Sequence, residues 1–521
     1  MPHAPNTSAA AAALALLVVV ASSPGCAGSG PAGATDGPIP PPPPPVVIGA
    51  ASQQPASGPP PCPPSSWRDD SSGDCLSLDC GAIEGHTWRR RFSAEGPGAE
   101  ARRILVAPDG TIVVAASLSG KLLLRTRPPS KPSDVVPGQG LSDVLVAKLD
   151  PTGQALWGRS YGGSGQHYAS DLAIDREGNL LVTGELNSPM SYGGPTLHHA
   201  GETDIHFAKL DAAGRHLWSK SFGNPKTNYA PRVATLSTGR IVLTGFFYGA
   251  LDVGGGPIPS NDGNTFVAVY EPDGRLVWSL GVGGSGPWVQ AVVVDHEDHI
   301  ILYGDFARPL QLQPTPQLRP VGLRDIFLAK LDDGGRALWS KRFGKVPTAS
   351  QYPQGLAIDR EGAILISGRF EGAVGFGGIP LKTAPRRPRL FVAKLGPDGS
   401  HRWSKTVGTA EQYGEARLLV ATDGLGRAYL AGFGAQTVDF GGGRLTAIPP
   451  MGAGYSGPAP MARRRSYVAL LGPDGAHLSS MLYGSPGDEL QALAVDGCNH
   501  GLVAGANEWS APNHLFVGRL P

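Results

Sequence analysis

The stretch Leu172-Ala-Ile-Asp175-Arg-Glu-Gly-Asn-Leu-Leu-Val-Thr-Gly184, completed by Phe207-Ala-Lys-Leu-Asp211 and Leu217-Trp218, decides the fold. It contains four short runs: an apolar run ending at Asp, a β-rich run ending in small residues, an Ala-Lys-Leu run, and a tryptophan run. Each is too short for a helix, and the turns between them carry Gly and charged residues. Glycine late in such turns supplies the positive φ that tight hairpins need.

The same unit recurs along the chain. The first run returns as Val292-Val-Val-Asp295, Leu356-Ala-Ile-Asp359 and Leu493-Ala-Val-Asp496, and the second as Ile241-Val-Leu-Thr-Gly245 and Ile364-Leu-Ile-Ser-Gly368. The third returns as Val144-Leu-Val-Ala-Lys-Leu-Asp150, Ile326-Phe-Leu-Ala-Lys-Leu-Asp332 and Phe391-Val-Ala-Lys-Leu395. Trp88, Trp157, Trp218, Trp278, Trp339 and Trp403 mark the fourth, with Leu478 taking the seventh place, at intervals of 60 to 75 residues. A fixed period with variable loops is the mark of a repeat architecture. Several runs are apolar at consecutive positions, as expected of sheets covered on both faces. Blades stacked face to face around a ring provide that cover without a helical layer.

The count gives seven runs each of the first, second and third kinds, the last third-type run being Leu515-Phe-Val-Gly-Arg-Leu520. No tryptophan run follows it, while Trp88-Arg-Arg-Arg-Phe92 stands spare at the front. The predicted fold is all-β: a single seven-bladed β-propeller over residues 86–521, four antiparallel strands per blade. The N-terminal strand closes the ring and removes the open sheet edge.

On Asp175 to Gly184, Phe207 to Asp211 and Leu217-Trp218, residues 86–521 resemble the bacterial seven-bladed β-propeller repeat (SBBP) lipoprotein family, a resemblance that implies fold rather than activity. The Asp-x-x-Gly-x-x-x-Trp spacing of Asp150 to Trp157 and Asp211 to Trp218 is also similar to the tryptophan-docking motif of quinoprotein propellers, without their vicinal cysteines.

The front of the chain reads differently. Ala9 to Ala21 is an unbroken apolar run of 13 residues, the length of a signal-peptide core and too short to cross a bilayer as a helix. It leads to Ser23-Pro24-Gly25-Cys26, which resembles a bacterial lipoprotein box with Cys26 as the lipidated residue. Residues 1–25 are therefore read as a signal peptide, 26–64 as a Pro/Gly-rich disordered tether, and 65–85 as a cysteine-containing lead-in. The expected location is the bacterial cell envelope, the membrane being held through the lipid. Cys62, Cys75, Cys80 and Cys498 are an even set in an oxidising compartment, so disulfides are expected. Three pairings are open, with Cys75–Cys80 and Cys62–Cys498 preferred.

With 44 basic and 43 acidic residues, the chain lacks the basic excess of a nucleic-acid binder. No cofactor or metal is expected. Asp295-His-Glu-Asp-His299 is rich in ligand-type residues but sits where other repeats place a solvated turn. No Gly-x-Ser-x-Gly elbow or other catalytic cluster is present. Aromatics recur ahead of the first run at Tyr168, Tyr229, Trp288, Tyr352 and Tyr413, and on a ring they would surround the channel mouth, where they either stack on a ligand or repeat one packing role. The favoured reading is a monomeric, non-enzymatic binding or protein-interaction scaffold for an unknown protein or polysaccharide ligand. The alternative is an envelope polysaccharide hydrolase or lyase with its site at the channel mouth.

Overall fold

A computed structural model of the chain describes residues 66–68, 75–77, 87–124, 134–260, 262–283, 286–384, 387–410, 416–447, 465–507 and 513–520. Cys26, Cys62, Cys80 and Tyr413 lie outside these residues, as do the signal-like and proline-rich segments. Among the described residues every regular element from Trp88 onward is a β-strand, and no helix is long and apolar enough to cross a membrane.

The strands group by repeat. Four sheets have four strands each, in chain order from the innermost to the outer edge; one runs His167–Ile174, Leu180–Leu186, Asp204–Leu210, His216–Phe222. A fifth, beginning at Gln351–Ile358, gains two further strands at its edge, Ala435–Asp439 and Arg444–Thr446. The second and third strands of each are buried at every or nearly every position, as in Asp325–Leu331 and Ile300–Phe306. This is the two-sided cover implied by consecutive apolar residues.

The remaining sheet joins the two ends of the chain. Trp88–Val106 is one continuous strand of 19 residues, longer than the expected Trp88 to Phe92. Its first part pairs with the C-terminal strand, Trp88 opposite Arg519 and Ser93 opposite His514. From Ala94 onward it pairs with Ile112–Leu123. At the start of this second part the ladder shifts between Glu95 and Gly98, where Gly96 and Gly98 take φ of +104° and +115°, conformations strained for a residue with a side chain. Gly120, opposite them, has room for no Cβ, which would lie 2.1 Å from the Glu95 carbonyl oxygen. Arg89 fastens the junction with a 2.5 Å ion pair to Asp488 and a guanidinium 4.2 Å from the Phe516 ring centroid.

Two repeating contacts explain the most persistent letters. Three tryptophans dock by hydrogen bond on the Asp-x-x-Gly-type turn of the following repeat: Trp218 Nε1 donates to the Pro272 carbonyl at 3.0 Å, Trp278 to Asp333 at 2.8 Å and Trp403 to Pro473 at 2.8 Å. The glycine of that turn lies against the indole, and a Cβ on Gly153 would come within 2.3 Å of Trp88. Trp88 thus shares the glycine contact with Trp157, Trp218, Trp278 and Trp403, although its Nε1 makes no hydrogen bond. In the seventh-place strand the register corrects the alignment: Ser479, opposite Leu470, occupies the place of Trp403, opposite Lys394. Leu478 lies one residue earlier, on the other face, and is half exposed.

The second contact also departs from expectation. In several repeats the Asp ending the first run serves more than the turn, since it forms a buried ion pair with the cation of the third strand; in the first repeat Ala107 holds that place and Lys148 reaches the half-exposed Asp109 two residues on. Lys148–Asp109, Lys209–Asp175, Lys330–Asp295 and Lys394–Asp359 span 2.7–3.0 Å, and Arg519–Asp496 repeats the pair at 2.7 Å. Where Leu236 replaces the Asp, Val269 replaces the Lys, and both are buried. In the sixth repeat Leu470 takes the place of the Lys while Asp423 stays, and Arg427, four residues on, supplies the counterion at 2.5 Å, so the buried carboxylate is never left without a partner.

Candidate binding cavity at the inner strands

The innermost strands break their ladders at one recurring place. Pairing jumps between Ala101 and Arg103, Ala169 and Asp171, Tyr229 and Arg232, Val289 and Ala291, Pro353 and Leu356, and Leu490 and Ala492. A bulge re-aims the side chains beside it. Here it directs Arg102, Ser170, Gln290, Gln354 and Gln491 into a cavity of about 530 Å³, which Arg103, Asp171, Glu185, Arg232 and Arg417 also line. Ala230, in the third of these bulges, adopts φ +53°, an unusual conformation for a residue with a Cβ.

Part of this polar lining stitches successive sheets together. Gln491 Oε1 accepts from the Ala101 N–H at 2.9 Å, and Gln354 Oε1 accepts from the Leu418 N–H at 2.9 Å. Asp171 Oδ2 accepts from the Val233 N–H at 3.1 Å, Arg232 Nε donates to the Gln290 carbonyl at 2.8 Å, and Glu185 Oε1 accepts from the Ala230 N–H at 2.9 Å. These bonds satisfy backbone groups near the interrupted ladders. They also commit both cavity carboxylates.

The remaining lining is aliphatic, with cationic groups among it. Arg102 pairs with Glu100 at 2.7 Å, and Arg103 Nε lies 3.4 Å from Asp171 Oδ1. The Nε atoms of Arg102 and Arg103 are buried without a hydrogen-bond partner. Burial holds the Arg232 guanidinium below its ordinary pKa; Asp171 and Glu185 oppose the shift, and the charges of Arg103 and Arg102 add to it. The side chain of Arg417 is exposed and has no ion pair or hydrogen bond among the described residues. Four arginines and two carboxylates line the cavity.

The structure distributes the five aromatics unequally. Tyr168 lines the cavity. Tyr229 and Trp288 meet at 5.1 Å between ring centroids and form a cluster with Phe246 and Tyr248, both 5.3 Å from a neighbouring ring. Burial, then the Tyr248 hydrogen bond, pushes the Tyr229 phenol up. Tyr352 stands apart, with the Arg369 guanidinium 4.7 Å from its ring centroid. These four residues share one register position, opposite Glu185, Phe246, Asp305 and Arg369. In the next sheet Arg417, opposite Phe433, ends the aromatic series, and Glu489 and Glu100 pair at the corresponding place in the other two. Beside Trp288, burial raises Asp305 to about 6 against the pull of Arg324, 2.5 Å away.

The cavity arginines and glutamines escaped sequence reading, although a signal was present. A polar residue stands immediately ahead of most first apolar runs, as in Arg102-Arg103-Ile104, Ser170-Asp171-Leu172 and Gln491-Ala492-Leu493. The apolar run behind it drew attention instead.

Two other groupings have local explanations. Asp295, Glu297 and His299 bring ligand atoms within 4.8 Å of one another. Asp295 is already held by Lys330 at 2.7 Å and by the Glu297 and His299 N–H groups. Burial raises its carboxyl, but these partners bring it below the usual range. Three His–Ser pairs also recur on edge strands, with His216–Ser219, His401–Ser404 and His477–Ser480 at 3.0–3.1 Å. Each ring lies beneath a Gly-Gly turn, where a Cβ on Gly194, Gly378 or Gly442 would come within 2.0–2.4 Å of it. Repetition in register marks a packing role.

No family model matches the chain. It is 23% identical over 239 residues to an uncharacterised WD repeat-containing protein of Acanthamoeba polyphaga mimivirus, covering 43% of this chain and 14% of the viral protein. The chain spans less than a fifth of the length of the curated relatives it matches. Among solved structures it is similar to the WD40 repeats of RRP9, at 10% identity and a TM-score of 0.42, covering 83% of this chain and 97% of that one. It is also similar to the polysaccharide lyase Uly1, at 9% identity and a TM-score of 0.42, covering 80% and 89%.

Proposed function

We propose that the chain is an exported envelope lipoprotein, anchored through Cys26, whose residues 86–521 form a single seven-bladed propeller that binds a ligand at its channel mouth without catalysis. Support for closure comes from the innermost strands. Trp88–Val106 touches His167–Ile174, and contact then passes through Asn228–Thr235, Trp288–Val294, Gln351–Ile358, Arg417–Thr422 and Glu489–Val495 back to Trp88–Val106. Cys498, on the turn after Asp496, offers a disulfide to one of Cys62, Cys75 and Cys80. A monomer fits a ring that leaves no strand edge at its seam.

The composition of the cavity carries the functional reading. An acid–base mechanism needs titratable groups converging on one point with protons to exchange. Here no histidine lines the cavity, and Asp171 and Glu185 are both occupied by backbone N–H groups. What remains are guanidinium groups, amides, aliphatic side chains and the single phenol of Tyr168, a lining suited to holding a ligand and without a second free titratable group to pair with the phenol in acid–base work. The test is to incubate the purified full chain with a panel of neutral and acidic polysaccharides, following both capture and chain cleavage. Capture of an intact ligand supports the reading; new reducing ends or unsaturated products overturn it in favour of a hydrolase or lyase.

A further inference from the structure

The cavity charge is out of proportion to the chain. Its lining carries two more arginines than carboxylates, and one cation remains in excess when Glu100, the partner of Arg102, is counted. The whole chain carries only +1. Arginine presents planar donors matched to carboxylates. Arg102 Nε is buried with no hydrogen-bond partner, and Arg103 Nε has only Asp171 Oδ1 at 3.4 Å, so both guanidinium groups keep N–H donors for a further acceptor. Arg417 adds an exposed guanidinium to the cavity lining. A volume of about 530 Å³ is within the range of small-ligand sites.

The aromatics indicate what bears the acid. Tyr168 lines the cavity, and Tyr229 and Trp288 continue its register position into a cluster of rings. Aromatic faces beside guanidinium groups suit a ligand with an apolar ring face and an anionic edge. A sugar ring bearing a carboxylate has both, whereas an acidic peptide has no such ring.

We propose that the cavity binds the acidic end of a uronate-type saccharide, with its carboxylate among Arg102, Arg103 and Arg417 and its sugar faces on the aromatic side. This rests on the binding-scaffold reading above and adds the ligand class. The test is isothermal titration of the full chain with trigalacturonate, neutral maltotriose and triaspartate. Trigalacturonate should bind at least ten-fold more tightly than either of the others and weaken between 50 and 500 mM salt. Arg417→Gln removes no contact among the described residues, so it should fold normally and weaken trigalacturonate binding about ten-fold. Arg275→Gln, on the Asp273-Gly274 hairpin away from the cavity, should leave binding unchanged. Equal affinity for maltotriose or triaspartate, or no effect of Arg417→Gln, overturns the acidic-sugar proposal and leaves the scaffold reading intact. Cleavage of trigalacturonate overturns the scaffold reading itself.

Discussion

Replacing Lys394 by Val leaves Asp359 in a site where both side chains are only 2% exposed. Removing one member of such a buried pair costs about 3–5 kcal/mol, because the surviving charge loses its counterion. The cost should fall toward the lower end, since Asp359 retains the N–H groups of Glu361 and Ala363 at 2.8–3.0 Å. Lys394 also donates to the Gly426 carbonyl at 2.8 Å, a bond of about 1 kcal/mol that the substitution removes. The third repeat supplies the rescue, its Leu236 and Val269 burying the same two places without charge. Asp359→Leu combined with Lys394→Val should therefore recover about 2–3 kcal/mol of the single-mutant loss. It should still cost about 1–2 kcal/mol, because Asp359 no longer accepts from its turn. With an unfolding entropy of about 2.1 cal/mol/K per residue over roughly 430 residues, the single variant should melt about 3–6 °C lower and the double variant about 1–2 °C lower. Calorimetry of wild type, both single variants and the double variant completes the cycle. If the double variant melts no higher than Lys394→Val, the charges are not coupled and the explanation of Leu236 and Val269 fails.

Deleting residues 86–92 removes the partner of His514–Arg519 together with Trp88 and Phe92. At about 3–5 kcal/mol for the buried Phe92 and about 1 kcal/mol or more for the partly buried Trp88, the melting midpoint should fall by about 4 °C or more, whereas deleting 27–60 should leave it in place; an unchanged midpoint after the first deletion refutes the closure. Cys26→Ser should move the protein from the membrane to the soluble fraction, and unchanged fractionation would remove the lipid anchor. Burial pushes His206 down to about 3 between the Tyr192 hydroxyl and the Tyr168 carbonyl. Its neutral form favours folding fully above the unfolded pKa near 6.5, and that contribution is lost as pH falls toward 3. His206→Gln should flatten the decline of the denaturant midpoint between pH 6.5 and 4, and an unaltered slope would exclude this origin.

The repeat was legible because its markers are backbone and packing requirements. Gly153 meets an indole, Trp218 reaches a carbonyl in the next turn, and such contacts tolerate few alternatives. The spare tryptophan run likewise disclosed its partner, since a strand count that fails at one end and exceeds at the other has a simple resolution. The cavity was harder to read. Its side chains project there because of bulges at Arg102, Ser170, Gln290 and Gln491, and a bulge leaves no fixed letter behind. The ion pairs were hidden for another reason: Asp175 looks like a turn residue and Lys209 like an exposed strand residue until the fold brings them within 2.9 Å.

The strand shared between the two ends of the chain also constrains the order of assembly. Five of the sheets draw their core strands from a contiguous stretch, so each can form as soon as that stretch emerges. The seam must wait, because Trp88 meets Arg519 only when nearly the whole chain has been delivered. Contacts of such sequence separation form slowly, and the unpaired run from Trp88 to Ser93 remains open to foreign strands until they do. A chain that stops short of His514 would never acquire its seam partner. The pairing of His514–Arg519 therefore completes the seam, and without it the first strand would keep an open edge.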